Sequence, residues 1–253
     1  MTKKKILVLL GIALFVSVGV FIIYKRTYKE EFNYVVLGDS LSAGRNPYGT
    51  DDYGYTDYVR DYLKKENKLG SYLSYAVSGY AIDDVKNDIN LNRSIIINNK
   101  NQNIRKVLRE ADIVTITIGA NDLLKGINIS SVPQLASNKA SLVQKIDDIM
   151  IKLDALFELI KRYAKGKIIV VGYYNPLPHL EKYKNDIDEI VAYVDEKYES
   201  LCSKYSIYYV KTSEAISKNN DYLPNPLDIH LSKEGYKTIG KSVISLINKE
   251  IFK

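Results

Sequence analysis

Strand-like and helix-like segments alternate along this chain, and that alternation limits its fold more than any other feature. The strand-like segments are short runs rich in β-branched residues: Asn33–Asp39, Ser71–Val77, Asp112–Ile118, Lys167–Tyr173 and Ile207–Lys211. Between them, apolar residues recur every three or four positions, most clearly from Leu142 to Ile160 and from Ile187 to Leu201. A last helix is expected over residues 233–249, after the N-cap candidate Ser232. This alternation predicts an α/β fold with a five-stranded parallel sheet covered on both faces.

Composition agrees with one globular domain. The 253 residues are 46% hydrophobic and 26% charged, and 14 Gly with 6 Pro are too few for collagen-like or low-complexity sequence. The single cysteine, Cys202, excludes an internal disulfide and a cysteine-based zinc site. Because Cys202 falls on the apolar face of a predicted helix, we expect it to be an inert core residue.

The positive charge is concentrated at the N-terminus. The net charge is +6, but residues 1–31 contain six basic and two acidic residues, which leaves 30 basic and 28 acidic residues elsewhere. A nucleic-acid-binding surface needs clustered basic residues, and this near-balance provides no such cluster. We therefore expect no nucleic-acid partner.

An uncharged stretch near the N-terminus predicts a membrane partner. Residues 6–24 lack charge and lie between a lysine triplet and Lys25-Arg26. As a helix they would extend about 28 Å, close to a hydrocarbon core of about 30 Å. No small-residue cleavage site and no lipid-modifiable cysteine follow the stretch.

We therefore divide the chain into a signal anchor with a short stalk, residues 1–31, and a globular domain, residues 32–253. The lysine-rich start favours a single-pass protein of the cell membrane, with the domain outside the cell. The alternative is a secreted domain released by signal cleavage.

Polar residues suited to chemistry follow three of the predicted strands. Ser40 follows the first, Gly79 the second and Asn121 the third, while Asp228 and His230 precede the last helix. Ligands of parallel sheets bind beyond the C-terminal strand ends, so we expect these residues to meet at one edge. A serine nucleophile needs a base and a group that orients that base, roles that His230 and Asp228 suit. The Ser40 and Gly79 N–H groups and the Asn121 amide are candidate donors to an oxyanion.

These blocks resemble the SGNH, or GDSL-type, ester hydrolases over about residues 33–250. The matching blocks are Gly38-Asp39-Ser40-Leu41, Gly79, Gly119-Ala120-Asn121-Asp122 and Asp228-Ile229-His230. The nearest likeness is to the membrane-anchored GDSL-type lipases of Gram-positive bacteria. The resemblance implies a flavodoxin-like three-layer α/β/α sandwich that uses neither a metal nor an organic cofactor. It also implies Ser40 as nucleophile, His230 as base, and Ser40, Gly79 and Asn121 as the oxyanion hole.

One position departs from the family pattern. Many members carry the aspartate three residues before the histidine, where this chain has Leu227; Asp228 lies two before His230. Side chains at i and i+2 of an extended segment point to the same side, so we favour Asp228 as the orienting group. The alternative is a backbone carbonyl near Pro226 or Leu227, with Asp228 purely structural.

Neighbouring polar residues receive less specific interpretations. Ser42 and Ser78 are expected in turn or cap roles, and Asp39 and Asp122 as hydrogen-bonding groups that hold loops. His179 is expected to be an exposed loop histidine.

The predicted activity is therefore hydrolysis of carboxylic esters, with acyl lipids or O-acylated envelope polymers as substrates. An acyltransferase onto an envelope polymer would use the same residues, and a glycan- or lipid-binding domain without catalysis is a further alternative. An α/β-hydrolase is rejected because the serine lacks the Gly-x-Ser-x-Gly context, Ser42 being the fifth residue of that window.

Overall fold

A computed structural model describes residues 30–125 and 139–252. Its main sheet is parallel, has five strands and follows the order β2-β1-β5-β6-β7. Its strands are β1 (Phe32–Gly38), β2 (Leu69–Ser74), β5 (Ile113–Thr117), β6 (Lys167–Val171) and β7 (Tyr208–Val210). A separate antiparallel hairpin comprises β3 (Ser94–Ile97) and β4 (Lys100–Asn103). The predicted parallel sheet is confirmed.

Helices follow most strands. They are α1 (Ser40–Ala43), α2 (Tyr55–Lys65), α3 (Ile82–Asn90), α4 (Ile104–Glu110), α5 (Ala120–Leu124), α6 (Lys139–Tyr163), α7 (Lys184–Lys204), α8 (Ser213–Ile216) and α9 (Lys233–Glu250). The last helix begins where the sequence predicts, with Ser232 as its N-cap. Short 3₁₀ turns lie at Glu181–Tyr183 and Asn220–Tyr222.

Two hydrophobic cores lie on opposite faces of the sheet. Alternate residues of β1 supply them: Val35 and Leu37 join one core, and Tyr34 and Val36 join the other. Helices α3, α4, α6 and α7 cover the first face, and α2, α8 and α9 cover the second. Strands buried on both faces require this arrangement, so the fold is the expected three-layer α/β/α sandwich. Cys202 is 1% exposed within the first core, and burial raises the pKa of its thiol to about 12.

The hairpin is the main element that the strand predictions omit. Its Ile95–Ile97 run reaches the turn Asn98-Asn99, whose φ angles are +50° and +59°. Consecutive asparagines in this conformation are typical of a two-residue hairpin turn. The signal was therefore present in the sequence, although only Ile95 of the strand packs against a core.

Strand β2 begins and ends earlier than predicted. It stops at Ser74 rather than Val77, although the N–H groups of Tyr75 and Val77 still donate to the carbonyls of Val36 and Gly38. These bonds hold the segment before Gly79 against the end of β1.

The predicted anchor, residues 6–24, lies outside the described residues. Within the ranges that are described, no helix is long and apolar enough to cross a membrane.

Candidate active site

Ser40 is the first residue of α1, directly beyond the end of β1. The strand turns at Gly38, whose φ is +116° and where a Cβ would lie 2.0 Å from the carbonyl oxygen of Thr117. Only glycine tolerates both the conformation and this close approach to β5. Asp39 then caps α1, its side chain accepting a bond from the Leu41 N–H. The Gly-Asp-Ser run thus presents Ser40 at the C-terminal edge of the sheet.

The structure joins Ser40, His230 and Asp228 in one hydrogen-bonded chain. His230 Nε2 lies 2.7 Å from Ser40 Oγ, and His230 Nδ1 lies 2.7 Å from Asp228 Oδ1. Asp228 Oδ1 also accepts the backbone N–H of His230 at 2.8 Å. The imidazole therefore takes its second partner from the Asp228 carboxylate rather than from a carbonyl near Leu227. This geometry is what nucleophile activation by a histidine requires.

The segment that carries His230 is held from both sides. The Tyr174 hydroxyl donates to the Ile229 carbonyl at 2.8 Å, and the Leu231 side chain is fully buried in the second core. After it, the Ser232 side chain caps α9 through the Gly235 N–H. These contacts hold the ring in position.

Burial controls the basicity of His230. The residue is 9% exposed, and this desolvation lowers its pKa below 6.5, while the negative charge of Asp228 acts in the opposite direction. At neutral pH the imidazole is therefore uncharged and can accept a proton.

The two other candidate oxyanion residues lie beyond the ends of β2 and β5: Gly79 on the loop before α3, and Asn121 as the second residue of α5. Gly79 has φ +89°, and no atom lies within 4 Å of where its Cβ would be, so its backbone is open to a ligand. The Asn121 side-chain amide donates to the Tyr80 carbonyl at 2.8 Å, which ties α5 to the loop that carries Gly79. Among the described residues, no acceptor binds the N–H of Ser40 or of Gly79. Both N–H groups are therefore available to a developing negative charge.

A buried hydrogen-bond network lies beneath Ser40. Asp39 accepts from the Thr117 hydroxyl at 2.6 Å and from the Tyr173 hydroxyl at 2.5 Å. The Tyr173 oxygen in turn accepts the Ala120 N–H at 3.2 Å, next to Asn121. Burial raises the pKa of Asp39 to about 6, against the lowering effect of these hydrogen bonds.

The structure thus places Asp39 as a loop-holding group, the role expected for it. Thr117 and Tyr173 were missed by the sequence reasoning. Thr117 ends β5 and Tyr173 follows β6, and their positions at the ends of predicted strands could have indicated that they lie near the site.

The remaining polar residues divide between loop and interior. Asp122 accepts the Ile82 N–H at 2.9 Å, as a loop-holding group does, and the Ser78 hydroxyl donates to Asp51 at 2.7 Å. His179 is exposed and lies 2.8 Å from the Leu223 carbonyl. Ser42 differs from the expectation of a turn or cap, because its buried hydroxyl bonds to Thr117 and Tyr55.

Within residues 30–125 and 139–252, no group of three His, Cys, Asp or Glu side chains is placed to hold a metal ion.

An apolar cavity of about 290 Å³ opens next to Ser40 and Asn121. It extends between α6 and α7. Aliphatic side chains form most of its wall, including Leu142, Ile146, Ile149, Ile187, Ile190 and Val194. The polar reaction centre therefore adjoins an apolar compartment.

Comparison with known proteins gives a family and a set of structural relatives. The chain matches the GDSL-like Lipase/Acylhydrolase family over residues 36–238. A curated relative, "Uncharacterized protein YpmR" of Bacillus subtilis (strain 168), is 24% identical over 231 residues, covering 88% of this chain and 84% of the relative.

Solved structures with the same fold include lipases and an esterase. The lipase Lip_vut3 from a goat rumen metagenome superposes with a TM-score of 0.66 at 19% identity, over 84% of this chain and 95% of the other. A catalytic mutant of Axe2, an acetylxylan esterase from Geobacillus stearothermophilus, gives 0.61 at 16% identity, over 87% and 95%. An extracellular lipase from Streptomyces rimosus gives 0.58 at 16% identity, over 84% and 98%.

The family match spans most of the chain and includes Ser40, Gly79, Asn121 and His230. Lipases and acylhydrolases act on acyl compounds, so membership supports carboxylic ester hydrolase activity. On this evidence the chain belongs to the GDSL-like lipase/acylhydrolase family, which comprises SGNH-type ester hydrolases.

Proposed function

We propose that this protein is a serine esterase that cleaves carboxylic esters through an acyl-enzyme on Ser40. The observation that carries the proposal is the chain from Ser40 Oγ through the His230 ring to Asp228, with 2.7 Å at each of its two links. Lowering of the His230 pKa by burial supports it, because the ring is then a free base at neutral pH.

In the first half-reaction, Ser40 Oγ bonds to the ester carbonyl carbon while its proton passes to His230 Nε2. The N–H groups of Ser40 and Gly79, with the Asn121 amide, donate to the carbonyl oxygen as it becomes negative. The bond between that carbon and the alcohol oxygen then breaks. The alcohol leaves with the proton from His230 Nε2, and the acyl group stays on Ser40.

Water completes the cycle. His230 takes a proton from water as the water oxygen bonds to the acyl carbon, and the carbon–Ser40 bond breaks. The proton returns to Ser40 Oγ, and the acid is released. Asp228 orients the imidazole and stabilises its charged form through both steps.

For the location of this activity, we retain the single-pass arrangement expected from the sequence. Residues 6–24 anchor the chain in the cell membrane and residues 32–253 act outside it, where acyl lipids and O-acylated envelope polymers are the substrates. The charge-free stretch bracketed by basic residues supports this arrangement.

The test compares the full-length chain with Ser40→Ala and, as a matched control, Ser203→Ala, which removes an exposed hydroxyl bonded to the Glu199 carbonyl within α7. We expect wild type and Ser203→Ala to hydrolyse p-nitrophenyl acetate and to be labelled by a fluorophosphonate. Ser40→Ala should lose both signals, with at least about a 10³-fold lower rate.

Two outcomes would contradict esterase activity. Labelling of Ser40 without hydrolysis of any ester would favour an acyltransferase that lacks its acceptor. Neither labelling nor hydrolysis by the folded wild-type protein would favour a binding domain.

A further inference from the structure

The cavity beside Ser40 is apolar almost throughout. Helices α6 and α7 contribute aliphatic side chains to facing walls, and Leu123 and Leu124 of α5 add to them near Asn121. Ile149 lies close to Gly119, at the end of the cavity that adjoins the reaction centre. A compartment with this lining favours hydrocarbon over sugar or other hydroxyl-rich groups.

Of the four carboxylates on its wall, Asp39 and Asp228 belong to the reaction centre, and the other two do not change this character because both have partners. Asp195 is 2% exposed and accepts from the hydroxyls of Tyr209 and Ser213. Asp186 forms an ion pair with Lys139 at 2.8 Å. Neither carboxylate needs a hydrogen bond from a ligand.

The other side of the reaction centre is polar. Arg45 and Asp51 approach each other at 3.5 Å, and Asp51 also accepts the Ser78 hydroxyl. The Arg45 N–H donates to the Ser40 carbonyl at 2.9 Å, so this polar pair lies next to Ser40. The leaving alcohol takes its proton from His230 Nε2, so it departs on the side of that ring. The alcohol would therefore meet Arg45 and Asp51, and these side chains favour a polar alcohol.

We propose that the cavity between α6 and α7 binds the acyl chain of the substrate, so that this enzyme acts on esters of extended fatty acyl chains with polar alcohols. The inference rests on the proposed esterase function and adds the substrate class to it. An acetyl group would leave the cavity empty, whereas a longer chain would exchange water for aliphatic contacts. Each methylene that enters should raise kcat/KM by about fourfold when fully buried.

The first experiment measures kcat/KM of the full-length chain for p-nitrophenyl acetate, butyrate, hexanoate and octanoate, below the concentrations at which the esters aggregate. We expect kcat/KM to rise by at least about tenfold from acetate to hexanoate. A second series keeps the acetyl group and lengthens the alcohol, from methyl to octyl acetate. We expect this series to be nearly flat.

Substitutions then test whether the cavity causes the dependence of kcat/KM on acyl-chain length. Ile190→Trp places a large ring in the cavity and should abolish the gain for the longer acyl chains, so that the ratio of kcat/KM for octanoate to that for acetate falls to near one. The matched control, Ile151→Trp, makes the same change at a side chain of α6 that is 71% exposed and does not line the cavity. It should retain the wild-type profile.

Val191→Thr keeps the shape of the cavity wall but adds a hydroxyl, so it serves if the larger substitution prevents folding. It should lower the ratio of kcat/KM for octanoate to that for acetate by about threefold or more.

The possible results separate this inference from the proposed function. Hydrolysis of acetate with a flat acyl series would overturn the acyl-chain assignment and leave the esterase intact. A steep alcohol series that Ile190→Trp flattens would assign the cavity to the alcohol instead. Loss of all hydrolysis and all fluorophosphonate labelling in the wild-type protein would overturn both.

Discussion

At the scale of single residues, the proposed mechanism gives Asp228 and His230 separable tasks. In it the His230 ring transfers protons, whereas Asp228 holds the residue through Nδ1 and through the backbone N–H, both on the same carboxylate oxygen. Asparagine at position 228 retains one oxygen acceptor but lacks the negative charge that stabilises an imidazolium.

We therefore expect His230→Ala to reduce kcat by about 10⁴-fold and Asp228→Asn by about 10²-fold. Steady-state kinetics with p-nitrophenyl esters measure both. Equal losses at the two positions would indicate a fully interdependent triad, and near-wild-type activity of Asp228→Asn would remove Asp228 from the mechanism.

The pH dependence of the rate reports the state of the same ring. A protonated imidazole cannot accept the Ser40 proton, so kcat/KM should fall as the pH drops through the pKa of His230. Because burial lowers that pKa below 6.5, the midpoint of the acid limb should lie below 6.5. Asp228→Asn removes a charge that raises the pKa, so its midpoint should move lower still. A wild-type midpoint above 6.5 would contradict the assignment of the limb to a buried His230.

At the scale of secondary-structure elements, Tyr173 links three strand ends. It follows β6, donates to Asp39 beyond β1 and accepts from Ala120 beyond β5. The segments that carry Ser40 and Asn121 are thereby held relative to each other through one hydroxyl. We interpret Tyr173 as a positioning residue that acts through Ser40 and Asn121.

Tyr173→Phe keeps the ring in the core and removes this hydroxyl. We expect kcat to fall by about tenfold, while KM changes little, because the misplaced donors act mainly in the transition state. Tyr205→Phe is the control, since it loses a 2.8 Å bond to Asp154 on α6, away from the site. Equal kinetics of the two variants would show that the Tyr173 hydroxyl does not position the site.

The elements differ in how well sequence predicts them. Strands β1 and β5 are continuous apolar runs that end in turn residues, and both lie within two residues of their predicted limits. The β3–β4 hairpin was missed because its strands are short and mostly exposed, so burial contributes little to their pattern. The end of β2 was misplaced because Tyr75 and Val77 continue its bonds to β1 without belonging to the strand.

At the scale of the whole molecule, strand order assembles the site. The order β2-β1-β5-β6-β7 places β1 and β5 side by side, so Ser40 and the start of α5, which carries Asn121, follow neighbouring strands. Helix α9 packs on the second face against α2, and the segment before it brings His230 to Ser40 across 190 residues of chain. The site is therefore a product of the complete sandwich.

The sequence by itself determined the alternation of strands and helices, the parallel sheet, and the residues Ser40, Gly79, Asn121, Asp228 and His230 as candidates. These features are local, because side-chain periodicity, turn residues and short motifs can be recognised within a few positions of the chain. Contacts between distant segments were decided only in the tertiary structure. There the partner of His230 is Asp228 and not a carbonyl near Leu227. Tyr173 bonds to Asp39, and an apolar cavity lies beside Ser40. Each of these depends on which loops and helices become neighbours when the layers pack, and sequence spacing carries no measure of that proximity.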